Sequence, residues 1–188
     1  MDEKLTRGAL WNKAGTAGIA LGAVSAIYLF VTQYLSSLGS SIWISGFSLV
    51  LWGIKLLACI WLMSMFMKRF VEKYPSATST DSFKFGMVTA LCSALVYSAI
   101  TLANVLVINP DLISQQIDAA MKIAGSSMDS NTINALDKAE AIMPQVIFFS
   151  NLIYCFLYGT VLSAILSRNM PPRNPFARRY SHNADSQE

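Results

Sequence analysis

One ionisable side chain lies inside an otherwise uncharged apolar segment, and it is the first residue to consider for chemistry. Lys55 stands near the middle of residues 42–67, and every other residue of that segment is uncharged. The three other long apolar segments contain no aspartate or glutamate, so Lys55 has no carboxylate partner at its own depth. Tyr97 and Tyr154 stand near the middle of two of those segments, and Ser25 and Ser98 also fall at mid-depth. We therefore predict a low-polarity binding site made of Lys55, Tyr97 and Tyr154.

Two interpretations of Lys55 remain open from the sequence. In the first, the amine binds an anion or a lipid headgroup drawn among the helices, or it relays a proton, because burial favours its neutral form. In the second, its long stem extends toward a polar boundary, or the amine bonds to Tyr97, Tyr154 or a backbone carbonyl. The chain of carboxylates typical of proton-coupled transport is missing, which argues against a transporter.

The remaining reactive residues form no recognisable catalytic or metal-binding set. Cys59, Cys92 and Cys155 all fall in apolar stretches without a CxxC or Cys/His pairing, and His182 is the sole histidine. Cysteines in such positions are usually small buried hydrophobes. No Ser/His/Asp set, P-loop or dinucleotide glycine motif occurs. We therefore predict no enzymatic activity, no catalytic residue, no metal and no cofactor.

The elements that must carry Lys55 are four apolar segments long enough to cross a bilayer. Only 13% of the residues are charged and 54% are apolar, whereas soluble domains are about 25% charged. A spanning helix needs about 20 apolar residues. The segments cover approximately residues 14–35, 42–67, 85–108 and 146–166. The first could be read as a signal peptide, but its apolar run continues well past the possible cleavage site after Ala26.

The basic residues are distributed very unevenly around these segments. Eleven lysines and arginines lie at the N-terminus, in the second connection and in the tail, and two lie in the connection of residues 109–143. The positive-inside rule therefore predicts cytoplasmic N- and C-termini and an extracytoplasmic connection 109–143. The basic residues show no aromatic interleaving, so no nucleic-acid partner is expected.

The connection of residues 109–143 has helical periodicity of its own. Asn109 is predicted to cap a first helix with Pro110 in its first position, and a second helix is predicted to end near Pro144. We read this as an extracytoplasmic helical hairpin. It could dock a partner, act as a lid, or pack on its own helices. Its five acidic residues lack EF-hand spacing, so calcium is not expected. Residues 168–188 form a basic, proline-containing tail.

Small residues spaced by four mark the faces through which membrane helices pack closely. The key positions are Gly18, Gly22, Gly86, Ala90 and Gly159. We predict that spans one and three pack through these ridges of small residues, called their small ridges below. The same ridges could instead serve a second copy or another subunit. Replacing Gly22 with leucine is expected to destabilise the fold or an assembly.

The combination of these features resembles a known family. Ser82-Phe83 with Gly86, Ile108-Asn109-Pro110-Asp111 and Met143-Pro144 resemble the bacterial domain-of-unknown-function family 4199 over about residues 4–170. The resemblance implies an uncharacterised, multi-pass protein of the bacterial inner membrane and carries no catalytic residues.

The sequence thus predicts an all-α protein, a four-transmembrane-helix bundle (residues 1–167) with the hairpin between spans three and four. We expect a non-catalytic accessory or assembly partner of other membrane proteins, with the lipid bilayer, other membrane proteins or itself as partners. The alternative is a small transporter or channel subunit, or a lipid-binding protein, that uses Lys55.

Overall fold

A computed structural model describes residues 7–37, 42–74, 77–124 and 130–169. The helices are α1 Arg7–Ser37, α2 Ile42–Lys73, α3 Ser79–Ala103 with a π-helical extension Asn104–Ile108, α4 Leu112–Ala124 and α5 Ser130–Arg168. The all-α prediction is confirmed, since the described residues contain no strand. Lys4 and the tail from Met170 onward lie outside the described residues.

Four of these helices are long and apolar enough to cross a membrane. The candidate spans are Arg7–Leu35, Gly46–Lys73, Ser79–Ile108 and Lys138–Arg168, which belong to α1, α2, α3 and α5 respectively. Each helix extends beyond its apolar run at one end or both, because the flanking polar residues continue the backbone hydrogen bonding. The length and the apolar composition of these four helices are those of a membrane protein.

Helix α3 is the centre of the arrangement. It makes its most extensive contacts with α1 and with α5, whereas α2 packs mainly on α1 and touches α5 at few points. The hydroxyl of Ser79 donates to the Ser167 carbonyl at 3.2 Å, which joins the start of α3 to the end of α5. The rings of Phe70 and Phe85 stack with centroids 4.4 Å apart, which joins the end of α2 to the start of α3. The end of the helices that holds Phe70, Ser79, Phe85 and Ser167 is called the basic end below, because Lys68, Arg69, Lys73 and Lys84 belong to it.

The basic end contains the apolar core. Phe70, Tyr74 and Phe85 are each at most 4% exposed, and Ala14 near the start of α1 belongs to the same cluster. Consecutive long helices therefore alternate in direction. Among helices surrounded by lipid, such contacts stabilise by close van der Waals fit rather than by exclusion of water.

Local sequence explains why α3 begins where it does. The Thr78 hydroxyl accepts a hydrogen bond from the Asp81 amide at 3.3 Å, and the Asp81 carboxylate accepts one from the Thr78 amide at 3.0 Å. This reciprocal capping box satisfies donors that the first turn leaves free. Helix α3 therefore starts at Ser79, ahead of the predicted start of the third span near residue 85.

The predicted break at Pro144 is absent. The sequence predicted a second hairpin helix that ends near Pro144, but α5 runs unbroken from Ser130 to Arg168 with Pro144 inside it. Proline removes one backbone hydrogen bond from a helix, and long membrane helices tolerate that loss. Helix α4 lies against the first part of α5, where the Ser114 hydroxyl donates to the Glu140 carboxylate at 2.5 Å.

The predicted cap of α4 is also wrong. The side-chain amide of Asn109 donates to the Asn104 side chain at 3.2 Å, and the Asn109 backbone amide donates to the Asn104 carbonyl at 2.8 Å. Asn109 therefore closes the π-helical end of α3, and α4 begins later, at Leu112. The first helical hydrogen bond of α4 runs from the Gln115 amide to the Asp111 carbonyl at 2.9 Å, which gives Asp111 the position expected of Asn109.

Candidate functional site

Lys55 lies partly buried on α2 between two aromatic rings. Its Nζ atom is 4.8 Å from the centroid of the Tyr28 ring on α1 and 5.2 Å from the centroid of the Tyr97 ring on α3. Both distances fall within the roughly 6 Å over which a cation is attracted to the face of an aromatic ring. Among the described residues, the contacts given for this amine are thus with two uncharged rings.

A cavity of about 120 Å³ lies beside this amine. That volume is enough for several water molecules, since one needs roughly 10–15 Å³ on this scale. All four long helices contribute to the wall, and no aspartate or glutamate is among the described residues that line it. The lining residues are Leu21 and Ser25 of α1; Trp52, Lys55, Leu56, Cys59 and Met63 of α2; Ala90, Ser93 and Tyr97 of α3; and Tyr154, Cys155, Tyr158, Gly159 and Leu162 of α5.

The structure brings the three predicted binding residues to this one cavity. Lys55 and Tyr97 are in contact through the amine and the ring face, and Tyr154 lines the wall with 67% of its side chain exposed. Ser25 also lines the cavity, whereas Ser98 is fully buried elsewhere and has no hydrogen-bond partner among the described residues. The placement shows proximity, and a binding role for these residues stays a prediction.

Tyr28 is the residue that the sequence argument missed. It lies one helical turn beyond Ser25 on α1, so the two residues share a face. The residues predicted from the sequence offer hydroxyl groups to the amine at the depth of Lys55, whereas Tyr28 contributes the face of its ring. The spacing of Ser25 and Tyr28 was the available signal, since an amine without an acid is often held by aromatic faces.

The cavity opens between α2 and α5. Trp52 is 54% exposed, Tyr154 is 67% exposed and Tyr158 is 39% exposed, and these three aromatic side chains form its rim. Helices α2 and α5 touch at few points, so no close packing seals that side. An apolar chain could therefore reach the cavity from the surroundings of the helices.

The family of the chain follows from comparison with known sequences. The family model described as a protein of unknown function (DUF4199) matches residues 14–168. The chain belongs to this family. The resemblance noted from the sequence is thereby confirmed. No curated protein and no solved structure matches the chain.

Within this DUF4199 chain, α1 packs on α3 through two of its four glycines, Gly18 and Gly22. A Cβ atom built on Gly18 would lie 2.5 Å from the Cys92 Cβ and 2.8 Å from the Thr89 carbonyl oxygen. One built on Gly22 would lie 2.8 Å from the Val96 Cβ. The missing side chains therefore let the two helix backbones approach closely.

The small ridge of α3 has a different partner from the predicted one. Gly86 meets the side chain of Ser163, and a Cβ atom on Gly159 would lie 2.5 Å from the Ala90 Cβ. The Ser163 hydroxyl donates to the Phe83 carbonyl at 3.1 Å. The Gly86 ridge therefore faces α5, while α1 uses an adjacent face of α3. Spans one and three therefore pack together, but the α3 atoms nearest to Gly18 and Gly22 belong to Thr89, Cys92, Ser93 and Val96 and not to Gly86 or Ala90.

The close packing of α3 and α5 also supports the cavity, since Ala90 and Gly159 belong to its wall. Among the described residues, no three His, Cys, Asp or Glu side chains are near enough to hold a metal ion.

Proposed function

We propose that this protein binds the anionic group of an amphipathic molecule at Lys55, with the apolar part of that molecule lying between α2 and α5. The observation that carries the proposal is the position of the Lys55 amine beside a cavity without a carboxylate in its wall. The opening between α2 and α5 supports a ligand that arrives from the lipid phase.

The energetics favour an anion over an empty cavity. A cation at mid-depth in a membrane costs at least about 2.5 kcal/mol. The two aromatic faces offset part of that cost, each by about 0.5–2 kcal/mol. A bound carboxylate or phosphate would add an opposite charge beside the amine and would fill a space that is otherwise too open for close packing.

The proposal is tested with the full chain in nanodiscs and oleate as the probe. Native mass spectrometry and a bound-lipid extract would report the occupancy of the wild type, of Lys55→Met and of Lys68→Met. Lys68 lies on the same helix and is exposed, so it controls for a general loss of charge. We expect Lys55→Met to weaken oleate binding at least about tenfold, the effect of losing roughly 1.4 kcal/mol.

Equal oleate affinity in the wild type and Lys55→Met would contradict the proposal. Flux of a radiolabelled anion across proteoliposome membranes, dependent on Lys55, would instead support the rival function of a small transporter subunit.

A second candidate function is an accessory or assembly partner of other membrane proteins. Its support is the open surface of α2, where a Cβ atom on Gly46 or Gly53 would meet nothing within 4 Å. Only 11% of the apolar window of α2 and 6% of that of α5 are buried, against 33% for α1 and 28% for α3. The ridges of Gly18, Gly22 and Gly86 no longer support this candidate, since contacts within the chain occupy them.

The accessory candidate is tested by affinity purification from gently solubilised membranes. A partner retained by the wild type and by Gly15→Leu, but lost with Gly53→Leu, would support it. An isolated chain without a stoichiometric partner would count against it.

We also propose an orientation in the bacterial inner membrane with both termini in the cytoplasm. The support is the charge at the two ends of the long helices. The basic end holds Arg7, Lys13, Lys68, Arg69, Lys73, Lys84 and Arg168, whereas Lys122 and Lys138 belong to the opposite end. In this orientation α4 and the start of α5 form the extracytoplasmic hairpin. Labelling of a single cysteine placed at Lys122 in intact cells, and its absence for one placed at Lys84, would support this orientation.

A further inference from the structure

The structure contains a second cavity at the basic end, and we propose that it binds a phosphate group. This cavity has a volume of about 260 Å³ and lies between the start of α1 and the end of α2. Three cationic side chains line it, namely Lys13, Arg69 and Lys73. It shares no lining residue with the cavity at Lys55, so this proposal does not depend on the function proposed above.

The described lining of this cavity brings the basic side chains of Lys13 and Arg69 together from two helices. No aspartate or glutamate is among the described residues that line it; beside the three basic residues these are Thr16, Ala17, Phe66, Phe70, Tyr74 and Phe85. A neighbouring cavity, of about 500 Å³, also has two cations in its wall, Arg7 and Lys84. That neighbour includes the carboxylate of Asp81, which offsets part of its charge. Of the two, the cavity at Arg69 is therefore the one that favours an anion of more than one negative charge.

The floor of the cavity is fixed by packing. Phe70, Tyr74 and Phe85 are at most 4% exposed, and the rings of Phe70 and Phe85 are stacked. The Nζ atom of Lys73 lies 5.7 Å from the centroid of the Tyr74 ring, which holds the amine close to this floor. The three basic residues are exposed, and they lie around a packed apolar surface.

The residue types suit phosphate. The guanidinium group of Arg69 can donate two parallel hydrogen bonds to phosphate oxygens, and lysine amines add point charges around them. A phospholipid headgroup and a free phosphate both present this chemistry. The position favours the headgroup, because Arg69 follows directly on the apolar part of α2 and basic pockets between spanning helices bind anionic headgroups.

The test uses the full chain in detergent micelles, titrated with phosphatidylglycerol, phosphatidylcholine or inorganic phosphate. Native mass spectrometry gives the apparent affinity for each lipid, and the thermal unfolding midpoint reports binding of phosphate. The variants are the double substitution Lys13→Gln/Arg69→Gln, the charge-conserving Arg69→Lys, and Lys84→Gln as the matched control. Lys13, Arg69 and Lys84 are all exposed, so their replacement leaves the buried core intact.

We expect the double variant to bind phosphatidylglycerol about 25-fold more weakly, at about fivefold for each charge removed. Lys84 does not line this cavity, so Lys84→Gln should weaken binding by less than the roughly fivefold expected for one lining charge, and Arg69→Lys should retain most of the affinity. If the wild type binds phosphatidylglycerol and neither of the other probes, the site is assigned to a lipid headgroup. If inorganic phosphate raises the unfolding midpoint of the wild type but not that of the double variant, the site is assigned to a soluble phosphate. Wild-type affinity in the double variant, an equal loss in Lys84→Gln, or no binding of either probe would overturn the proposal.

Discussion

Gly18 and Gly15 offer a direct test of how closely α1 approaches α3. A Cβ atom on Gly18 would lie 2.5 Å from the Cys92 Cβ, about 1 Å inside the usual carbon–carbon separation of roughly 3.5–4.0 Å. It would also lie 2.8 Å from the Thr89 carbonyl oxygen, which belongs to the backbone and cannot rotate away. A Cβ atom on Gly15, three residues earlier on the same helix, would meet nothing within 4 Å.

The two alanine substitutions should therefore have opposite effects. Gly18→Ala forces the helices apart and is expected to cost about 1–3 kcal/mol of unfolding free energy, the usual range for overpacking. Gly15→Ala adds no clash and gains up to about 1 kcal/mol of helix propensity. The gain in helix propensity is common to both variants, so the expected difference between them is the overpacking cost at Gly18, about 1–3 kcal/mol.

Reversible unfolding in mixed detergent micelles, followed by circular dichroism, measures this difference. Gly15→Ala is the control for the general effect of adding a methyl group to α1. Equal unfolding free energies for the two variants would refute the reasoning, because they would mean that α1 and α3 do not touch at Gly18.

Three further substitutions have expected effects that the same unfolding experiment can check. Ser98→Ala removes a buried hydroxyl without a hydrogen-bond partner among the described residues and should stabilise by up to about 1 kcal/mol, whereas a loss of stability would reveal a missing partner. Thr78→Ala removes the capping box of α3 and should cost about 1 kcal/mol, and an unchanged unfolding free energy would contradict the cap. Pro144→Ala restores a backbone donor inside α5 and should stabilise by up to about 3 kcal/mol. A destabilised Pro144→Ala would indicate that the helix requires its proline.

The sequence predicts the number and type of the long helices because that information is local. A run of about 20 apolar residues leaves few alternatives to a helix long enough to span. The start of α3 was also within reach, since Thr78 and Asp81 have the spacing of a capping box. The continuity of α5 could not be predicted in the same way. Proline predicts a helix break in water, whereas the packing around a membrane helix can tolerate a proline inside it.

The pairing of helices is the part of the fold that sequence spacing does not determine. Gly18, Gly86 and Gly159 all indicate close approach, but the spacing of small residues carries no information about which ridge meets which. In the structure α3 offers different faces to α1 and α5, so both of its neighbours find small residues. Only the three-dimensional arrangement distinguishes this from a direct meeting of the Gly18 and Gly86 ridges.

The candidate site was predictable in part for a related reason. Matching depths along antiparallel spans put Lys55 beside Tyr97, and the two are in contact in the structure. Tyr28 was missed because its contribution is a ring face and not a hydrogen bond. The cation cluster at Lys13 and Arg69 was read as a determinant of orientation, since the sequence does not reveal that these residues surround a cavity.

The central position of α3 has a consequence for biosynthesis. Helix α1 packs more on α3 than on α2, its neighbour in the chain. Translation proceeds at about 5–20 residues per second, so several seconds pass between completion of α1 at Ser37 and of α3 at Ala103. During that interval the face of Gly18 and Gly22 has no partner from its own chain. The nascent protein therefore leaves the ribosome with a surface of close helix packing uncovered, and the insertion machinery or lipid must cover it until the third span arrives.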